Sequence, residues 1–387
     1  MAAHSELKAL ITGGAGFIGR RLVEVLPDAI EILVLDCLDR QTHRSSPDFP
    51  ARVSARAVCI RSDVRDVHLY QKALEGLDVV VHLAAQTGTG QSMYELSRYV
   101  QHNADGTARL LEALSSLRTK PRRLILASSR AVYGEGRYAD GDGVRYPSRR
   151  RLQDLRRGSW EVQDDAGRRL VPLPMEETQP TSPVSIYGLT KLWQEQLAQA
   201  HCASIGIESV ALRLQNVYGP GQEPGNPYTG IMGVFARSIL QEDRAELFED
   251  GLMTRDFVFV DDVADAIARC MFHEGPLPPV VNVGSGRATT LKEVVDIMAR
   301  LLARDATVAL SGHFRLGDIR HATASMDRFR EALGEWSPTP LEDGMKRYLH
   351  WFLQQSREGA SAFESSLRQL EEKGLLLRSE PGKRPPP

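Results

Sequence analysis

The sequence predicts an α/β fold: a doubly wound parallel sheet with a smaller lobe assembled from discontinuous pieces. Three observations carry that prediction. An apolar strand ends in a glycine turn that opens a helix, in the run Lys8-Ala-Leu-Ile-Thr-Gly-Gly-Ala-Gly-Phe-Ile-Gly19. A second apolar strand, Glu31-Ile-Leu-Val-Leu-Asp36, follows that helix and ends in an acid. Apolar strands and amphipathic helices then keep alternating through the first half of the chain, the pattern of a parallel sheet with helices on both faces.

The first unit is Rossmann-like and holds a pyrophosphate. Gly13 allows the tight turn after the strand, Gly16 lets backbone N–H groups approach phosphates, and Gly19 lets the new helix pack closely on the sheet. Phe17 and Ile18, between the last two glycines, belong to the same cofactor-binding turn. Asp36, roughly 20 residues further on, binds the adenosine ribose hydroxyls and repels a 2′-phosphate, so NAD is expected over NADP.

Further strands are expected at 77–85, 123–128, 208–214 and 279–283, with a long helical stretch at 97–117 and another helix starting at Tyr187. Residues 218–254 are rich in Gly and Pro around one helix at 231–240, and two more helices and a short strand are expected after Gly286. These readings place an NAD-binding domain at 1–214 and 255–286 and a smaller lobe at 215–254 and 287–352. A docked helix and a disordered tail fill 353–387, which ends in Lys-Arg-Pro-Pro-Pro. Residues 137–170, within an excursion that runs to 180, hold nine arginines against six acids and almost no hydrophobic period. That stretch reads as a solvated lid or subunit-contact loop, since Trp160 is its only clear stacking residue for a nucleic acid.

A chain of 387 residues, 42% hydrophobic with a net charge of −2, has none of the basic excess of nucleic-acid binders. Cys37, Cys59, Cys202 and Cys270 show no metal or redox spacing, so no metal is expected and the thiols fit a reducing compartment. No apolar run approaches the roughly 18 residues of a membrane span, and the first strand leaves no room for a signal peptide. No membrane association is expected, and the location expected is the cytoplasm.

Tyr187-Gly-Leu-Thr-Lys191 starts a helix, and the four-residue spacing puts phenol and ammonium on one face. A tyrosine with an ordinary pKa of about 10 is a poor base at neutral pH, but a neighbouring Lys⁺ and a positive nicotinamide both favour its phenolate.

With these residues the chain resembles the extended short-chain dehydrogenase/reductases, in their nucleotide-sugar epimerase/dehydratase branch, over residues 7–350. The resemblance rests on Gly13/Gly16/Gly19, Asp36, Asp63-Val64, Leu83-Ala84-Ala85, Asn103, Ser128-Ser129, Tyr187/Lys191, Arg213-Leu-Gln-Asn-Val-Tyr-Gly219 and Arg255-Asp-Phe-Val-Phe-Val-Asp-Asp262. It implies that Asp63 and Val64 lie on the adenine side, and that Leu83, Ala84, Ala85 and Asn103 lie along the cofactor. It implies Ser129, Tyr187 and Lys191 as the catalytic set, with Lys191 also on the nicotinamide ribose. Asn216, Arg255 and Arg315, with Thr87 and Asp318 nearby, would hold the sugar nucleotide, where paired arginines neutralise a diphosphate.

Within that branch, the 4,6-dehydratases place Asp-Glu after the catalytic Thr/Ser and the decarboxylases carry a Glu, whereas this chain has Arg130 and Ala131. Without those carboxylates the simplest remaining chemistry is oxidation and re-reduction of one carbon, a 4-epimerisation. The turn Thr87-Gly-Thr-Gly-Gln-Ser-Met-Tyr94 and the stretch Asp154-Leu-Arg-Arg-Gly-Ser-Trp160 are similar to a sub-branch acting on thymidine-diphospho-L-rhamnose. The alternatives are a uridine-diphospho-hexose or hexuronate 4-epimerase, an NAD(P)H-dependent 4-keto-sugar reductase, and a non-catalytic NAD-sensing module. The excursion could cap the sugar. The resemblance also implies a homodimer built on the 97–117 and Tyr187 helices, for which Leu110, Leu111, Leu114, Leu192 and Leu197 offer apolar surface.

Overall fold

Seven parallel strands make the central sheet: β1 (Lys8–Thr12), β2 (Glu31–Asp36), β3 (Val58–Arg61), β4 (Val79–His82), β5 (Arg123–Ser129), β6 (Glu208–Leu214) and β7 (Val280–Val283). Their order across the sheet is β7-β6-β5-β4-β1-β2-β3, so the winding reverses between β1 and β4. The computed structural model describes residues 7–43, 48–224, 226, 230–355 and 367–379.

Alternation along the strands divides the core in two. Ile11, Val34, Val81, Ile125, Leu212 and Val281 face helices α1 (Phe17–Val25) and α5 (Val260–Phe272). Leu10, Leu33, Val80, Leu124 and Leu126 face the other way, against α2 (Gly106–Ser115) and α3 (Ile186–Ile205). Leu110, Leu111 and Leu114 are fully enclosed in this second layer, and Leu197 packs at its edge. Leu192 packs on a separate cluster around Val132 and Tyr133. Leu110, Leu111 and Leu114, expected at a subunit contact, therefore serve the sheet, while Leu192 and Leu197 are only partly buried. The exposed apolar residues on these helices are instead Leu96, Val100, Leu189 and Trp193.

The helical stretch at 97–117 is interrupted. Leu96–Tyr99 and α2 flank a π-helical segment, Val100–Asp105, whose extra residue per turn swings Asn103 inward.

The lobe has its own core, where α4 (Ile231–Glu242), α6 (Leu291–Leu301) and α7 (Leu341–Gln355) bring Phe235, Val294, Met298, Tyr348 and Leu349 around Tyr218, Phe257 and Phe259. Among the described residues of the lobe, three helices follow Gly286 where two were expected, because Asp327–Leu333 adds a short one. Residues 367–372 are helical, and Leu376–Arg378 pairs antiparallel with His313–Arg315. The expected tail at 380–387 lies outside the described residues.

The arginine-rich excursion is more ordered than its composition suggests. Arg137–Ala139 pairs with both Val144–Arg145 and Val171–Leu173, and Tyr138, Val162 and Leu170 form a small core beneath. Its seat on the lobe is ionic. The buried Arg320 reaches Glu161 of the excursion at 2.6 Å, Glu249 at 2.9 Å and Asp250 at 2.7 Å, while Arg150 reaches Glu249 at 2.8 Å.

Helix α3 is fixed to the strand ends by a buried pair. Glu195 accepts from Arg213 Nε at 3.0 Å and Nη2 at 2.8 Å, and also from Ser128 Oγ. Removing one partner leaves the other charge buried and alone, so Glu195→Ala is expected to cost about 3–5 kcal/mol of unfolding free energy. Urea titration of the variant beside the wild type measures it.

Candidate active site

The carboxyl ends of β1, β2, β4 and β5 open onto a cavity of about 920 Å³ that continues into the lobe. It sits at the crevice where the winding reverses, which is where open α/β sheets bind ligands. Ser129, Tyr187, Lys191, Thr87, Asn216, Arg255, Arg315 and Asp318 all line it, as do Gly13, Gly16, Phe17, Ile18, Gly19, Asp36, Asp63, Val64, Leu83, Ala84 and Ala85.

At one end the glycine turn leaves no room for side chains. A Cβ on Gly13, whose φ is +70°, would lie 2.7 Å from the Ala84 nitrogen, and one on Gly19 would lie 2.4 Å from the Gly13 carbonyl. The first turn of α1 thus points its free N–H ends into a cradle bounded by backbone. Asp36 organises the rim: Oδ2 accepts from Ala15 N–H at 3.0 Å and Oδ1 from Leu38 N–H at 2.9 Å. Burial pushes the adjacent Cys37 thiol up to about 11, and the negative charges of Asp36, Asp63 and Asp39 push the same way. A helix N-terminus beside an acidic rim suits a dinucleotide whose ribose carries no extra phosphate. Asp63 is held by both a backbone and a bidentate side-chain contact from Arg65, each at 2.9 Å.

Asn103 stands behind the cavity wall. Its Oδ1 accepts from Gln86 N–H at 2.7 Å, and its Nδ2 donates to Gln86 O at 3.0 Å and to Thr190 Oγ1 at 3.0 Å. Its place is to hold the loop after β4 against α3.

At the centre, the Tyr187 hydroxyl hydrogen-bonds with Ser129, whose Oγ also accepts from Ala131 N–H at 3.2 Å. Ser185 caps α3 by accepting from Gly188 N–H at 3.1 Å, and Ser92 accepts from Tyr187 N–H at 3.0 Å. The Tyr99 ring stands edge-on to Tyr187 at 6.4 Å, and its hydroxyl donates to Thr87 O at 2.7 Å. The Tyr187 phenol is raised by burial, against the Ser129 hydrogen bond and the charge of Arg130, which pull it down. Lys191 donates to Ala127 O at 2.9 Å, and burial lowers its ammonium to about 7 despite Glu195. Of the charges near the phenol, that of Arg130 favours its ionised form.

Arg130 is the functional group the motif reading passed over, because it figured there only as the absence of an acid. Its Nε donates to Asn216 Oδ1 at 2.8 Å, joining the Ser129 turn to the lobe. Burial and the charge of Arg255 bring its guanidinium down to about 10, opposed by Asp318. A long cation directly after the serine was the available signal.

At the lobe end Arg255 donates to Asp318 Oδ1 at 3.0 Å and to Ile319 O at 2.9 Å, so its guanidinium is largely committed. Arg315 is different. Its Nε is buried without a hydrogen-bond partner among the described residues, and its guanidinium lies 4.9 Å from the Phe248 ring centre. Burial pushes the Asp318 carboxyl up, but Arg255, Arg315, Arg130 and Arg150 together hold it below its ordinary value. A cluster with more arginines than acids, one donor of them unused, is what a dianionic diphosphate completes. No residue of the 137–180 excursion lines the cavity among the described residues, so the excursion does not cap it. Its contribution is indirect, through Arg150 Nη2, which donates to Asp318 O at 3.0 Å.

A glycine-turn dinucleotide cradle joined to a Ser/Tyr/Lys centre defines a class, and the sequence comparison agrees. The NAD dependent epimerase/dehydratase family matches residues 9–152 and 156–284, and the chain belongs to this family. It is 38% identical over 356 residues to the dTDP-L-rhamnose 4-epimerase of Burkholderia thailandensis, covering 90% of this chain and 95% of that protein. Among solved structures, MoeE5 in complex with UDP-glucuronic acid and NAD is similar with a TM-score of 0.71 and 29% identity, covering 90% of this chain and 100% of that one. The Thermus thermophilus UDP-glucose 4-epimerase in complex with NAD is similar with a TM-score of 0.70 and 27% identity, over 90% and 100% of the two chains.

The lowered Lys191 ammonium gives a pH dependence with a definite sign. Between about 7 and its ordinary 10.5 the unfolded chain carries a proton on this lysine that the ligand-free fold does not, so stability should rise with pH across that window. Lys191→Met removes this contribution. Its unfolding free energy relative to wild type should therefore increase as pH falls from 10.5 to 7 and level off below, as read by urea denaturation at each pH.

Proposed function

We propose that this protein is an NAD-dependent nucleotide-sugar 4-epimerase, acting most readily on dTDP-L-rhamnose and its C4 epimer dTDP-6-deoxy-L-talose. The single observation that carries the reaction class is the replacement of the dehydratase acid and base by Arg130 and Ala131 beside an intact Ser129/Tyr187/Lys191 set. The preference for the deoxythymidine sugar is supported by the 38% identity to the Burkholderia enzyme.

Gly13, Gly16, Phe17 and Ile18, with Asp36 on the rim, would hold NAD, which would supply a reversible hydride acceptor for C4 of the sugar. Tyr187 Oη removes the proton of the C4 hydroxyl and later gives it back, and Ser129 Oγ holds that oxygen during both steps. Arg130 favours the phenolate in the interval. Lys191, four residues along the same helix face, supports the cofactor ribose. Arg255, Arg315 and Asn216 anchor the diphosphate, with Asp318 holding Arg255 in place, so that the sugar can turn while its tether stays fixed.

The test is to incubate the protein with dTDP-L-rhamnose deuterated at C4 and follow it by NMR. Label should remain on C4 of both epimers, and heavy water should place no deuterium at C5. Wash-in at C5 would replace this reading with a 3,5-epimerase or dehydratase, and loss of oxidised cofactor after one turnover would point to a reductase. In the same assay Tyr187→Phe should keep bound NAD while turnover falls by about two to four orders of magnitude.

We further propose a homodimer in the cytoplasm, formed on the exposed face made by Leu96, Val100, Leu189 and Trp193. Four apolar side chains on two adjacent helices form a patch that a second copy would cover. Trp193→Asp should convert the dimer to a monomer in light scattering at micromolar concentration, and a wild-type monomer would rule the proposal out. The cytoplasmic location is supported by the four unpaired cysteines.

A further inference from the structure

Residues 367–379 join the turn after β4 to the lobe strand of Arg315, and Leu367 at their start lines the cavity. On the sheet side Leu370 packs against Gly90, where an added Cβ would lie 3.5 and 3.6 Å from the two Leu370 δ-carbons. Tyr94 donates its hydroxyl to Gln369 Oε1 at 3.2 Å, and Lys373 Nζ lies 5.0 Å from the Tyr94 ring centre. On the lobe side Arg315 pairs with Leu376 in the antiparallel ladder, Leu316 N–H donates to Leu375 O at 3.1 Å, and Ser379 N–H donates to Gly312 O at 2.9 Å.

One attachment point lies beside Tyr187 and the other beside Arg315. Gly90 belongs to the turn whose Ser92 accepts from the backbone of Tyr187, so it neighbours the reacting carbon. The strand His313–Arg315 carries the arginine with the unused donor, at the diphosphate. Leu367, one helical turn before Leu370, lines the cavity between them.

We propose that residues 367–379 form a strap across the bound nucleotide sugar, and that Leu367 is a specificity-determining residue whose apolar side chain favours a methyl group at C6 over a hydroxymethyl. The proposal rests on the nucleotide-sugar reading given above. An apolar wall gains contact with the methyl and offers a hydroxyl no partner, which discriminates by about tenfold or more in kcat/KM.

The direct test is Leu367→Gln in the full chain with NAD bound, assayed with dTDP-L-rhamnose and with dTDP-L-mannose, which differs from it only by the hydroxyl at C6. The ratio of their kcat/KM values should shift about tenfold toward the 6-hydroxy sugar, with NAD content unchanged. A ratio equal to wild type while both sugars turn over would overturn the assignment to Leu367. Hydrogen exchange on the wild type reads the strap without turnover: dTDP-L-rhamnose should slow exchange across 367–379 and at Leu316. If calorimetry shows that the sugar nucleotide binds while that exchange is unchanged, the strap is wrong and the epimerase reading stands. If no nucleotide sugar binds, the epimerase reading fails and the strap proposal fails with it.

Discussion

The ion pair between Arg213 and Glu195 is the constraint on which the site depends. Tyr187, Lys191 and Glu195 succeed one another at four-residue intervals on a single face of α3, so fixing the last fixes the other two. Arg213 lies near the end of β6 and Ser128 near the end of β5, and both bind Glu195. The helix that carries the phenol is thereby held against the strand that carries Ser129. A buried pair of this kind gains little over an apolar replacement in stability, but its geometry is directional. The pair also reaches to the edge of the sheet through Arg213, which stacks 4.7 Å from the Tyr133 ring centre, while Tyr133 donates to Asn282 on β7 at 2.7 Å.

Around that frame, the distribution of charge divides the labour. Lys191 is buried to the point of losing its proton near neutrality, and the Tyr187 phenol is raised by the same dryness. Arg130, Arg255 and Arg315 converge on a single carboxylate, Asp318. The ligand-free site is thus short of negative charge on the lobe side and short of positive charge at the helix. A diphosphate corrects the first imbalance, and an oxidised nicotinamide, being cationic, corrects the second and makes the phenolate accessible.

Much of this was legible in the chain. The β1 turn, the acid ending β2 and the order of alternation were enough for the parallel sheet, because short continuous apolar runs such as Lys8–Thr12 and Val79–His82, between turn signals and helices, suit strands buried on both faces. The motif residues also reached one cavity, with Asn103 the exception. Its displacement follows from a π-helical turn, which leaves no mark in a hydrophobic pattern. The leucines of α2 were assigned to a partner when the sheet had the prior claim, since an amphipathic helix shows that it has an apolar face and not what covers it. Arg130 was seen only as a missing acid. The segment 367–379 was invisible because its contacts, to Gly90, Tyr94 and the strand of Arg315, are all distant in sequence. The excursion read as solvated because its composition is charged, and composition cannot distinguish arginines that face water from those, like Arg150, that are buried against carboxylates.

The ionic seat of that excursion has a bearing on how the fold can be recombined. Its small core of Tyr138, Val162 and Leu170 is self-contained, so the segment looks portable. Its fastening is not. Glu161 belongs to the segment while Arg320, Glu249 and Asp250 belong to the lobe, so a transplant into a relative lacking Arg320 would carry a half-buried acid with its principal partner missing. Conversely, deleting the segment would strip Arg320 of one carboxylate and remove Arg150, which supports Asp318 from outside the cavity. Segment and lobe are consequently one electrostatic unit, and chimaeras should be cut so that residues 137–173 and 249–321 travel together.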